Sequence, residues 1–384
     1  MKVAIIHYWM ITRRGGEKVV ESILGLFPNA DVYTMFYDDN GACAPFLTNY
    51  ATYTSKFNYR FLRKHYQKLF PLFPEIMKSL KLRKKYDLII SSESGPAKGI
   101  ELGAANFDTP HLCYVHTPMR YCWEPEQYLV KLPRPVRPFV KIALERLRSW
   151  DIRTAKNVTH FVANSKNVQN KVKRNYNRKA NVVYPPISME LFKDKPLVHP
   201  PHKRTHYLSF GAITPYKRID LLIDAFNENG KSLVVIGDGG ECRKLERKAN
   251  DNVNFLGQAT WETIEENVLS AKALLFPGEE DFGMIPLEVM AYGLPVIAYA
   301  RGGALETVIE NDDLSHSTGS FFYEQTVDSL QAAIDLFEER ITSFDPIWIR
   351  SHARRFGEDR FKEEFVKEVK KAMTPELIEN GYAN

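Results

Sequence analysis

Short β-rich runs recur along the chain, and several are apolar throughout instead of alternating. Residues 3–7, 30–35, 88–91, 111–115 and 160–163 read this way in the first half. Residues 207–210, 232–236, 253–256, 273–276 and 295–299 repeat the pattern in the second. A strand with no polar side must be covered on both faces, which parallel sheets achieve by laying helices on each side. Helical spacing in 16–26, 166–176 and 218–228 supplies such helices. Strand–helix alternation of this kind predicts doubly wound α/β sheets.

The 384 residues exceed one ordinary core and suit two. A break falls at Tyr184-Pro185-Pro186, followed by Pro196, Pro200 and Pro201 in a stretch without periodicity. We expect a first domain over 1–185, a second over 186–360 and a terminal segment, 361–384, forming a helix that crosses back to the first. The charged, periodic run 350–373 reads as helical. Ligands of such folds sit at the carboxyl ends of the strands, so a cleft between the two domains is expected.

Charge divides at the same place. Residues 1–185 hold 30 basic and 14 acidic side chains, a net +16, and the remainder is −11. Within 56–85, ten Lys and Arg face one acid, Glu75, with aromatic and aliphatic residues between them. A second basic, apolar stretch covers 131–148. Two readings stand: an anionic membrane surface, where each cation contributes ~1 kcal/mol, or a solvated face over an ordinary core. No nucleic-acid motif accompanies the charge, so nucleic acid is not an expected partner. No apolar run reaches the length of a membrane span. The start reads as a buried strand and not as a signal peptide, and four scattered cysteines without a CxxC suit a reducing cytoplasm.

The most informative segment is Phe276-Pro277-Gly278-Glu279-Glu280-Asp281-Phe282-Gly283-Met284-Ile285-Pro286-Leu287-Glu288. A strand ends at Phe276, a loop follows, and Pro286 suits a helix start, since a first-turn proline loses no hydrogen bond. That places Glu288 in the first helical turn. Backbone N–H groups at Gly283, Met284 and Ile285 and the carboxylates of Glu280 and Glu288 suit a sugar diphosphate. Plain exposure and a helix-end preference for acids explain the same residues.

Taken whole, the segment resembles the signature of the retaining family-four glycosyltransferases of GT-B fold: Glu, seven residues, Glu, with Phe-Gly inside. The resemblance extends to the run from Tyr207 through Gly211, Lys217 and Arg218 to Phe226, to Val234–Gly240, and to Asn252–Gly257. Tyr114-Val115-His116-Thr117-Pro118-Met119-Arg120-Tyr121 is most similar to mannosyltransferases of bacterial surface polysaccharide assembly. The resemblance implies two Rossmann-like domains and a metal-independent, retaining hexosyl transfer. The donor is a nucleotide diphosphate sugar, GDP-mannose first and a UDP-sugar second. The acceptor is a growing glycan, lipid-linked in one version, and the enzyme works in the cytoplasm at the inner membrane face.

It also implies roles. Lys217, with Arg218, meets the donor diphosphate; Gly211 lies beside it. Phe255 and Leu256 flank the base and Glu288 the ribose. Glu280 and the segment Phe282, Gly283, Met284 and Ile285 approach the sugar. From the first domain, Gly15 and Gly16 approach the diphosphate and His116 orients the sugar. Ser94, Lys98 and Arg120 are candidate sugar or acceptor contacts. Where the family usually carries arginine after the glycine, this chain has Ala212, which keeps open a non-catalytic glycan-binding or assembly reading. An epimerase of similar fold is a lesser alternative. No cofactor is implied and no metal site is expected: the chain has no Asp-x-Asp, no Walker lysine loop and no Gly-x-Ser-x-Gly.

Overall fold

A computed structural model of the chain describes residues 1–129 and 132–373. The chain divides into two compact units: Met1–Pro185, joined by the described residues from Phe361 to Met373, and Pro186–Arg360. Lys131, in the second basic stretch, and residues 374–384 lie outside the described residues.

In the first unit seven strands form one parallel sheet: β1 (Val3–Met10), β2 (Asp31–Tyr37), β3 (Thr52–Thr54), β4 (Leu88–Glu93), β5 (His111–Val115), β6 (His160–Ala163) and β7 (Ala180–Val182). Their order is β3-β2-β1-β4-β5-β6-β7. The second unit has β8 (His206–Phe210), β9 (Leu233–Ile236), β10 (Val253–Gly257), β11 (Ala271–Phe276), β12 (Val296–Tyr299) and β13 (Gly319–Phe322). They run β10-β9-β8-β11-β12-β13, again all parallel. Each unit winds outward one way, returns to its middle and winds outward the other way. The reversal falls between β1 and β4 and between β8 and β11, the positions where doubly wound sheets open a crevice.

Strand β1 shows why the apolar runs do not alternate. Val3 and Ile5 enter one core cluster, with Val19, Val20 and Ile23 of the helix Gly15–Leu24. Ala4 and Ile6 enter the cluster on the opposite face. Both sides of the sheet are therefore dry, as the sequence pattern requires.

The terminal run is two helices, Pro346–Arg354 and Glu358–Ala372. They break near Gly357, where a Cβ would lie 2.6 Å from the sulfur of Met189. The second helix buries Phe361, Phe365, Val369 and Ala372 in the first unit's core, beside Tyr114. Its Glu368 accepts from Asn181 at 2.7 Å and pairs with His160 at 2.7 Å.

Basic residues 56–85 fold as a helix Arg60–Lys64, a tight 3-10 stretch Tyr66–Leu72 and a helix Phe73–Lys78. Phe73, Ile76 and Met77 are buried, whereas Tyr59, Phe61 and Leu72 are exposed. The second basic stretch lies largely in the helix Arg137–Thr154, with Val136, Phe139 and Ile142 exposed. Among the described residues no helix is long and apolar enough to cross a membrane.

Candidate functional site

In the second unit the loops after β8 and β11 meet. β8 ends at Phe210, and Gly211 has φ +124°, a conformation that favours glycine. A Cβ there would also lie 2.8 Å from Cδ1 of Ile285 and 3.1 Å from Nζ of Lys217. Lys217 closes the 3-10 turn Pro215–Lys217. From the other loop, Gly278 comes close enough that a Cβ would sit 2.7 Å from Cα of Lys217. This backbone approach brings together two residues 63 apart: Nζ of Lys217 is 2.9 Å from Oε1 of Glu280, with the side chains 13% and 17% exposed. A narrow recess beside the pair is lined by Ser209–Ile213, Lys217, Phe276–Gly278 and Glu280, among others.

The loop carrying Glu280 is braced from outside. Gly303 donates its N–H to the Glu280 carbonyl at 2.8 Å, and a Cβ on Gly302 would stand 2.3 Å from that same oxygen. Sequence reasoning missed Gly302 and Gly303. Their signal is a glycine pair in the loop just past a strand.

Several expectations need correcting. The helix begins at Met284 with Gly283 as its cap, so Glu288 is its fifth residue and lies beyond the first turn. Glu288 is nonetheless buried, at 6% exposure. Pro286 is the third helical residue, still before the point where a proline removes a helical hydrogen bond. The Phe282 ring is buried against Phe356, centroids 6.0 Å apart, so its aromatic face belongs to the core. Met284 and Ile285 are half-buried. Arg218 has φ +53° and turns its Nε to the Asp220 carboxylate at 3.1 Å and its Nη1 to Gln325 at 3.3 Å. Gln325 in turn donates to the Pro277 carbonyl at 2.8 Å. Arg218 thus ties the loop region together through Asp220 and Gln325. Phe255 and Leu256 are half-buried on the edge strand β10.

In the first unit, Gly15 and Gly16 are the first two residues of the helix Gly15–Leu24. A Cβ on Gly16 would lie 3.6 Å from Cε1 of His7 and 3.8 Å from Nε2 of His116, ordinary contact distances. Gly16 thus sits against two imidazoles. His116 follows β5 directly, and its Nε2 is 2.8 Å from Oγ of Ser92. Loss of solvent, and secondarily the positive form of His7, push the His116 pKa down to about 3, so the ring is neutral near pH 7. Ser94 is half-buried. Arg120 starts the short helix Arg120–Trp123 and is half-buried.

Lys98 is wholly buried, at 0% exposure. Its ammonium bonds Asp151 and lies 3.3 Å from Glu93, and its backbone N–H donates to Glu93 at 2.8 Å. Asp151 also accepts from Trp123 at 2.9 Å and Tyr176 at 2.8 Å. A charge so enclosed has no face left for a sugar, which corrects the acceptor contact expected of Lys98. Among the described residues no group of three His, Cys, Asp or Glu could hold a metal ion.

Comparison with known proteins assigns both units. Residues 14–191 match the family model described as Glycosyltransferase Family 4, and residues 193–343 match Glycosyl transferases group 1. The alpha-1,3/1,6-mannosyltransferase ALG2 of Kluyveromyces lactis is 24% identical over 278 residues, covering 59% of this chain and 55% of that protein. The O-antigen chain mannosyltransferase RfbU of Salmonella typhimurium is 26% identical over 156 residues, 38% of this chain and 43% of its own length. This chain thus spans about half the length of the curated relatives it matches. The crystal structure of Anabaena HepE in complex with UDP superposes with a TM-score of 0.69 at 18% identity, over 97% of this chain and 100% of that one. At that identity the likeness concerns the fold.

Proposed function

We propose, from the premise that this chain belongs to the family-four, group 1 glycosyltransferases of GT-B fold, that it moves a hexosyl group from a nucleotide diphosphate sugar to a hydroxyl of a growing surface glycan. One observation carries the reading. The Lys217–Glu280 pair stands beside the glycine bend of Gly211, at the β8/β11 reversal. A partly exposed ammonium at the carboxyl end of a parallel sheet is placed to neutralise a diphosphate, and its carboxylate partner can accept from sugar hydroxyls.

In the proposed reaction the bond from the anomeric carbon to the diphosphate oxygen breaks. The acceptor hydroxyl attacks on the same face, and its proton passes to the departing phosphate. Lys217 and backbone dipoles stabilise the charge that grows on the leaving group, without a metal ion. Glu280 orients the sugar and forms no covalent bond to it. Glu288 takes the ribose hydroxyls, Phe255 and Leu256 the base. His116, neutral, hydrogen-bonds the transferred sugar. Mannose from GDP-mannose is the first choice of donor, supported by the mannosyltransferases among the relatives. UDP-sugars are the second, supported by the UDP bound to HepE. The exposed apolar and basic residues of the first unit would hold the protein on an anionic membrane surface, next to a lipid-linked acceptor.

The test is a donor panel. The full chain is titrated with GDP-mannose, UDP-glucose and other nucleotide sugars while thermal stability and sugar release are followed. Stabilisation by one donor class with hydrolysis or transfer is expected, unchanged by EDTA. Binding to none would favour a non-catalytic role, and strict dependence on added metal would overturn the metal-independent step. Glu288→Ala should leave the fold intact and remove most turnover.

A further inference from the structure

One chain of buried polar groups in the first unit has no part in the reaction as described. We infer that Ser92, His7 and Glu17 are positioning residues that fix the tautomer of His116, with the proton on Nδ1 and Nε2 accepting. The inference rests on the reading that His116 faces the transferred sugar.

The hydrogen-bond geometry determines the tautomers in sequence. Nδ1 of His7 lies 3.2 Å from the Ser92 carbonyl. A carbonyl oxygen only accepts, so this nitrogen carries a proton. The same N–H lies 3.1 Å from Oγ of Ser92, which therefore accepts from it. The Ser92 hydroxyl has one proton of its own to give, and Nε2 of His116 is 2.8 Å away. Nε2 of His116 is thus the acceptor. A neutral imidazole with Nε2 accepting holds its proton on Nδ1.

Glu17 anchors the other end. Nε2 of His7 is buried without a hydrogen-bond partner, and the Glu17 carboxylate stands 3.6 Å from it. His7 is 0% exposed and Glu17 is 2% exposed. The carboxylate is thus the charged group that faces this unpartnered nitrogen in a dry interior. Glu17 also accepts from the backbone N–H of Arg14 at 2.9 Å, which caps the helix that opens with Gly15 and Gly16. One carboxylate therefore ties the glycine turn to the imidazole pair. A side-chain carbon at Gly16 would reach both rings.

A merely structural network would affect folding but would not set the proton position on His116. The ring nitrogens are observed by 15N NMR on the full-length protein without any donor, so the outcome is independent of whether a donor has been found. A single Nδ1-protonated form of His116 is expected, turning into a mixture in Ser92→Ala. An Nε2-protonated ring in the wild type, or no change in Ser92→Ala, overturns the inference. Kinetics with GDP-mannose supply the second measurement. Ser92→Ala should lower kcat by roughly ten- to hundredfold, the scale of a small misplacement, with KM little changed. Ser92→Thr, which keeps the hydroxyl, should restore most of it. In a His116→Ala background, Ser92→Ala should add nothing, whereas additive losses would show that Ser92 does not act through His116. Glu17→Gln keeps an oxygen for Arg14 and should move the His7 ring signals; unmoved signals would remove Glu17 from the relay.

Discussion

Each unit of this molecule places a lysine against carboxylates near the end of a central strand, and the two clusters differ in burial. Lys98 is sealed between Glu93 and Asp151, all three side chains without exposure. Lys217 and Glu280 keep 13% and 17% of their surfaces open. Apart from a seventh strand at one edge of the first sheet, strand order is the same in both, so topology around the two lysines does not separate them. Water does. A fully enclosed charge is satisfied by its own unit and any change there is felt as stability, whereas a partly open pair can exchange its partner for a ligand's phosphate.

That contrast is most exposed to test at the closed cluster. Lys98→Ala leaves two carboxylates without their cation in a dry interior, and stripping one partner from such a cluster costs about 3–5 kcal/mol. The variant should express poorly or melt far below the wild type in a thermal scan. A soluble variant of unchanged melting temperature would show that the cluster is not what holds this part of the first unit. Lys217→Ala should do the reverse. Its fold survives, and turnover on the best donor falls by about 10²–10³-fold, the scale of losing one preorganised charge contact. Near-normal turnover with Lys217 gone would count against the diphosphate role.

Acid titration separates the clusters further. Burial, opposed by Lys98 and reinforced by Asp151, raises the Glu93 carboxyl to about 7. A carboxyl whose folded pKa lies above its unfolded value near 4.5 keeps a proton that the unfolded chain has lost. Its contribution to stability is therefore full below pH 4.5 and disappears as pH rises through about 7. Unfolding in denaturant should show stability falling by on the order of 1–3 kcal/mol across that window. Glu93→Gln should flatten the slope. A slope that persists unchanged in the variant assigns the effect to other groups.

Much of this was legible in the sequence. Strands buried on both faces announce themselves as unbroken apolar runs, and the break at Tyr184-Pro185-Pro186 coincides with the division of units. Glu280 and Glu288 stand out in the sequence as the ends of a motif with fixed spacing, and Lys217 as a cation just past a glycine-ended strand. The strands Thr52–Thr54, Ala180–Val182 and Gly319–Phe322 were not legible, because three or four residues hold too little periodicity to register. Nor was the fate of Lys98 or Phe282. Whether a charge or a ring in a strand-end loop meets ligand or core depends on partners far away in the chain: Asp151 and Tyr176 for Lys98, Phe356 for Phe282. The tautomer relay was hidden for the same reason. Its members, at positions 7, 17, 92 and 116, meet only once β1, β4 and β5 lie side by side.

The smallest expected effect concerns the surface of the first unit, where the contrast is one between the buried and exposed sides of its two basic stretches. Phe73, Ile76 and Met77 turn into the core, while Tyr59 at 66%, Phe61 at 71% and Phe139 at 74% exposure remain outside among Arg60, Lys64 and Lys141. The sequence left a membrane surface and a solvated face both open, and the segment has residues suited to each. Charge reversal separates them. Arg60→Glu, Lys64→Glu and Lys141→Glu should each weaken binding to vesicles containing anionic lipid by ~1 kcal/mol, a severalfold loss per site that grows as ionic strength falls. Truncating Phe61 and Phe139 to Ala should weaken it further at every salt concentration, because burial of an aromatic ring is not screened. Vesicle binding that ignores all five substitutions would leave these side chains as ordinary solvated residues and place the acceptor's route to the enzyme elsewhere.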